Sequence, residues 1–335
     1  MADGPSILVI GPRWVGDMVM AQTLFSALRQ VHPEAAVDVM APAWAGPLLA
    51  RMPEVRAWID ATFAPNAMEI VKRWRVGRGL AGRYDRAIVL QGSWKSALVP
   101  WFAGIRRRSG YRGEMRYGIV NDMAAMPAEL KRHTAEGFFR LAGGGGFRPP
   151  SLTVDAQNQA RLLAANGLAR GGFAAFMPGA EYGPAKRWPE EKYAELARKL
   201  LADGLPVVLL GSENDRPVTG EIARLAPGAI DLGGATRLVD AVDLLAAARV
   251  AVSNDSGLMH IAAAVGTPVV AVYGSTSPEN TPPLTDRREL VWLRLDCSPC
   301  HRRECPLGHM NCLKTLDVRL VEAAVGRAAR HGARA

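Results

Sequence analysis

No stretch of this sequence stays apolar for the ~20 residues that a membrane-spanning helix needs. The opening, MADGPSILVIGPRW, is too short and too acidic to read as a secretory signal. These two absences lead us to expect a cytoplasmic protein. A third absence concerns cofactors. The loop after the first apolar run has Gly11 and Gly16 but no G-x-G-x-x-G. The second run ends in Ala41-Pro42, where a dinucleotide site would place an acid for the ribose. A Rossmann cofactor site is therefore not expected. Acid is the last shortage: 32 Asp and Glu face 41 Lys and Arg, for a net charge of +9.

The imbalance is local. Residues 70–116 hold 12 Lys and Arg against Asp85 and Glu114 alone. Such a patch favours an anionic partner, whether nucleic acid, lipid headgroups or a phosphorylated glycan. A merely solvated face has the same look. No recognisable nucleic-acid module accompanies it, which argues against nucleic acid. The remaining composition, 49% hydrophobic and 22% charged, is globular. A length of 335 residues suits two domains.

Strand and helix signals alternate along both halves. Ile7–Ile10 is an apolar run that ends in Gly11-Pro12. Val19, Leu24 and Leu28 then mark a helix over about 17–30. Helices are expected over 44–51, 67–80 and 95–103, and a buried strand over 86–91. Residues 105–116, IRRRSGYRGEMR, read as a basic loop without a period. The run Gly143–Gly146 before Pro149-Pro150 reads as a linker or surface loop. The hinge is placed later, near Ala169–Gly172, because residues 157–166 read as a helix finishing the first half. Strands over 173–177, 206–210 and 229–232 then alternate with helices over 189–202, 215–225 and 238–247. The expected fold is α/β: two Rossmann-like domains, 1–170 and 171–315, with a ligand cleft between them. A last helix within 316–335 is expected to pack back across the hinge.

The chemistry gathers in the second half. Arg249–Gly274 reads as strand, Asn254-Asp255-Ser256-Gly257 turn, apolar helix and second strand, a parallel βαβ unit. Such a turn sits where a helix N-terminus offers free N–H groups to a phosphate. Asp255 or Ser256 serving as an ordinary N-cap explains it as well, and the two readings are compatible. Met177–Pro189, MPGAEYGPAKRWP, brings Lys186 and Arg187 to the same edge, as a departing diphosphate requires. Ser212 and Glu213 follow another strand there and suit a ribose or base, or simply a polar loop. His260 lies one turn into the helix, where packing is the commoner role. Asp17 opens the first helix; it is placed to act as a general base, or only to complement the helix dipole. All four cysteines, Cys297, Cys300, Cys305 and Cys312, fall in a C-x2-C-x4-C-x6-C array. In a reducing cytoplasm the choice lies between a structural zinc and free thiols.

Several segments resemble the ADP-heptose:lipopolysaccharide heptosyltransferase II family. They are GPRWVGDMVMAQ, MAPAW, RMPEV, KSALVPWFAGI with GYRGEMRYG, PGAEYGPAKRWP, SNDSGLMHIAAA and YGSTSPENTPPL, spread in family order over residues 7–285. The resemblance implies a two-lobed GT-B fold and an inverting heptose transfer from ADP-heptose that requires no cofactor. The implied acceptor is the first heptose of heptosyl-Kdo2-lipid A, met at the cytoplasmic face of the inner membrane by a peripherally bound monomer. Asp17 is then similar to the family's catalytic base, Lys186 to its diphosphate lysine, and Asp255-Ser256-Gly257 to its phosphate turn. Lys95, Arg106, Arg107, Arg108, Arg112 and Arg116 would hold the acceptor's phosphates and carboxylates. The cysteine array departs from some members. Two alternatives stay open: a heptosyltransferase I acting on Kdo2-lipid A, and a non-catalytic nucleotide- or nucleic-acid-binding protein.

Overall fold

The computed structural model describes residues 4–64, 67–127 and 133–332. It divides into two units, Met1–Pro150 and Ser151–Ala335. The first unit's sheet comprises β1 (Ser6–Ile10), β2 (Ala36–Ala41), β3 (Val55–Asp60), β4 (Arg86–Val89), β5 (Arg107–Tyr111) and β6 (Asp122–Ala124). The second comprises β7 (Ala174–Met177), β8 (Val207–Leu209), β9 (Ile230–Asp231), β10 (Val250–Asn254), β11 (Val269–Tyr273) and β12 (Arg288–Trp292). Their orders are β3-β2-β1-β4-β5-β6 and β12-β11-β10-β7-β8-β9. Counted from each unit's own first strand, both are the doubly wound order 3-2-1-4-5-6. All strand pairings within the two sheets are parallel. Central strands covered on both faces must be apolar throughout, and β1, β7, β10 and β11 are buried nearly end to end.

Two expectations are corrected. Residues 107–111, expected as loop, form β5; its arginines are paired outside the strand's apolar requirement, Arg107 with Asp122 and Arg108 with backbone carbonyls. The division falls at Pro150 rather than at Ala169–Gly172. The helix Ala156–Ala165, expected to close the first half, is bound to the second by a polar seam. There Asn158 donates to Asp240 and Asp243, and Gln159 donates to the Asp243 carbonyl. The helix Val318–Gly332 lies on the second unit's own sheet. Its Val318, Val321, Ala324, Val325 and Ala328 join β7, β8, β10 and β11 in one apolar core. The turn after β11 accepts the chain just before that helix because Gly274 has no side chain; a Cβ there would stand 2.5 Å from Leu313 Cγ.

Candidate active site

In a doubly wound sheet, ligands bind beyond the carboxyl ends of the strands where the strand order reverses. That point lies between β7 and β10 in the second unit, and between β1 and β4 in the first. Both are occupied by the residues singled out from sequence.

After β7 the chain runs through Pro178 to the short 3-10 turn Pro184–Lys186, then to the helix Glu190–Ala202. After β10, Asp255 and Ser256 lead into the helix Gly257–Ala264. Lys186 Nζ and Asp255 Oδ2 are 2.7 Å apart, with side chains only 15% and 5% exposed. Lys186 also lies 4.9 Å from the Tyr182 ring centre, a cation–π distance. Ser256 stands at the N-cap position, yet no side chain caps this helix. The capping alternative is therefore set aside: Asp255 holds Lys186, and among the described residues no side-chain cap closes the helix's N-terminus. Three buried polar atoms lack a partner among the described residues: Arg187 Nε in the loop after β7, and Ser275 Oγ and Thr276 Oγ1 in the loop after β11, which Ser275 ties to the first by donating its N–H to the Ala185 carbonyl. Buried polar atoms are nearly always bonded, so unpaired ones beside a switch point mark a place for a polar ligand.

Asn254 was not anticipated. Its side chain accepts the Trp188 N–H and the Tyr193 hydroxyl, and donates to the Pro178 carbonyl at 2.6 Å. It thereby ties the β7 loop to the β10 loop. A buried amide at the end of an otherwise apolar strand was the available signal. Thr281, donating to Asp255 Oδ1 at 3.3 Å, was also missed.

Ser212 is engaged locally, since its hydroxyl and N–H both donate to Asp215 in a capping box. Glu213 is exposed and paired with Arg216. His260 is buried within the helix after Asp255, and burial holds its imidazole down at about 4. It is neutral near pH 7, as the packing reading has it.

In the first unit, the loop Gly11–Trp14 joins β1 to the helix Val15–Val31, and half-buried Asp17 lies in that helix's first turn. A cavity of about 40 Å³ opens here among Gly11, Arg13, Phe63, Arg73, Gln91 and Lys95. Arg73 stacks on the Phe63 ring at 3.9 Å and donates to the Lys95 carbonyl. The expected anion-holding arginines divide. Arg116 is fully buried and donates to the Gln91 and Tyr111 carbonyls, and Arg108 is bonded to the carbonyls of Ile105, Gly118 and Ile119. These two fasten the backbone.

The four cysteines converge, together with Ala185 and Ser275, on one cavity of about 20 Å³. All four are free thiols. Among the described residues no three His, Cys, Asp or Glu already stand at metal-ligand spacing.

Two parallel doubly wound units are the architecture of the GT-B glycosyltransferases. Residues 73–311 match the sequence pattern of glycosyltransferase family 9 (heptosyltransferase), and the chain belongs to that family. It is similar to lipopolysaccharide heptosyltransferase 2 of Escherichia coli, with 45% identity over 86% of this chain and 88% of that one. Lipooligosaccharide heptosyltransferase 2 of Haemophilus influenzae is 44% identical over the same shares. The solved structure of E. coli ADP-heptose lps heptosyltransferase II matches with a TM-score of 0.85 and 40% identity, covering 97% of this chain and 99% of that one.

Proposed function

We propose that this enzyme transfers L-glycero-D-manno-heptose from ADP-heptose to the first heptose of heptosyl-Kdo2-lipid A, inverting the anomeric centre. The names of its relatives support donor and product class. The observation that carries the reading is the buried Lys186–Asp255 pair beside an uncapped helix N-terminus.

In this reading Asp17 takes the proton of the acceptor hydroxyl as its oxygen bonds to the anomeric carbon. The bond from that carbon to the diphosphate breaks on the opposite face through an oxocarbenium-like state. Negative charge then grows on the departing ADP, where Lys186, Arg187 and the N–H groups near Ser256-Gly257 stabilise it. Asp255 does not meet the phosphates; it aims Lys186. Ser275 and Thr276 supply hydroxyls to the same anion. Arg13, Arg73 and Lys95 receive the anionic groups of the acceptor. No helix among the described residues is long and apolar enough to cross a membrane. In this reading the protein works in the cytoplasm, where ADP-heptose would be supplied, and meets its lipid acceptor by peripheral contact.

Mass spectrometry of products from ADP-heptose and defined truncated cores tests this. One heptose added to heptosyl-Kdo2-lipid A is expected. Transfer to Kdo2-lipid A instead would identify a first heptosyltransferase, and salt-sensitive oligonucleotide binding without transfer would overturn the enzymatic reading.

A further inference from the structure

We propose that Cys297, Cys300, Cys305 and Cys312 bind one soft divalent metal ion, zinc or ferrous iron, and that this site braces the loop bearing Lys186.

The four thiols come from a segment with little regular structure, yet they line a single cavity of about 20 Å³. A space of ~10–15 Å³ on this measure accepts one water-sized occupant, so the cavity has room for one ion. Its other walls are largely apolar and include Pro306, Leu307 and Met310. The backbone is also shaped around sulfur. Met310 donates its N–H to Cys305 Sγ at 3.4 Å, and left-handed turns at Gly308 and Met310 fold the chain around that atom. N–H groups aimed at a sulfur are the outer support a metal-bound thiolate needs. Four thiolates favour tetrahedral zinc or iron over harder cations. Among the described residues no group of three or more His, Cys, Asp or Glu is close enough to hold an ion as it stands, so the proposed site requires the four sulfurs to move inward on binding.

The brace is a set of direct bonds. Between Cys300 and Cys305, the His301 carbonyl accepts the Tyr182 hydroxyl at 2.9 Å, and the Arg303 carbonyl accepts the Ala185 N–H at 3.0 Å. His301 donates its N–H to the Ser275 carbonyl at 2.7 Å, and Ser275 donates its own to the Ala185 carbonyl. Arg303 and Lys186 both lie within cation–π distance of the Tyr182 ring. A loose cysteine segment would release both the turn before Lys186 and the Ser275 loop. This second half of the proposal rests on Lys186 binding the diphosphate; the metal site itself does not.

The test uses the full chain, expressed with zinc and iron supplied and purified without chelator. Elemental analysis is expected to find about one metal per chain, and thiol titration to find four cysteines protected until the metal is removed. Visible absorption separates iron from colourless zinc. Less than about a tenth of an equivalent of metal, with four thiols reacting at once, overturns the site. Cys305→Ser is expected to lose the metal and weaken ADP binding about tenfold. Should that variant not fold, chelated wild-type protein gives the same comparison. Unchanged ADP affinity after metal removal overturns the brace. A metal-loaded protein that never binds ADP overturns the proposed donor instead, and leaves the site standing.

Discussion

Lys186 and Asp255 are 69 positions apart in sequence and 2.7 Å apart in space, each from a different loop at the point where the strand order turns. The carboxylate fixes where a single ammonium points without removing its hydrogen-bonding capacity, since an ammonium has three donors. Lys186→Met should lower kcat by about 10²–10³-fold, as expected for loss of one donor to a developing anion. Asp255→Asn should lower it less and also lower the melting temperature, because a largely buried ammonium is left without its counter-charge. Steady-state kinetics and a thermal melt separate the two effects.

Asp17→Asn keeps the shape of the first helical turn and removes only basicity. A loss of about 10²–10⁴ in kcat is expected, with ADP affinity unchanged. Near-normal turnover in a folded variant would exclude Asp17 as the base.

Asn254 bonds two loops at once. Asn254→Ala leaves the Trp188 N–H and the Pro178 carbonyl unpaired in the interior, at a cost of about 3 kcal/mol. Chemical denaturation should report that loss, with weaker ADP binding alongside it.

His260 sets a pH dependence. Burial lowers its folded-state value to about 4, against an ordinary ~6.5. Between those limits the unfolded chain holds more protons than the folded one, so stability falls as pH drops from 6.5 towards 4, by at most about 3 kcal/mol. A His260→Gln variant should show a flatter stability profile in that window.

The cavity formed by Arg13, Arg73 and Lys95 predicts a different signature. Lys95→Ala should raise KM for the acceptor about tenfold, leave ADP affinity alone, and make the remaining activity less sensitive to salt.

How legible all this was depended on burial. Helix Leu238–Ala247 and strands β7, β10 and β11 were readable because they are apolar runs bounded by turn residues. Strands β3, VRAWID, and β12, RELVW, went unread because each is largely uncovered and mixes charge with apolar side chains. The Asp-Ser-Gly turn and the Lys-Arg pair could be found from sequence, being short polar segments after apolar strands. Their mutual pairing could not, since nothing local records which of two loops 69 residues apart will meet. The division near Pro150 was missed for a similar reason. Periodicity shows a helix over 156–165, but not which unit it will join, because what ties it to the second is a polar seam to the helix Leu238–Ala247.

The pattern shared across the family ends at residue 311, but the interior of the second unit does not. Leu313, Leu316, Val321 and Ala324 all lie beyond it and are completely enclosed. A protein trimmed to the matched boundaries would bare an oily trough along that unit and is expected to accumulate as insoluble aggregate. Anyone shortening this enzyme for crystallisation or screening should keep its tail.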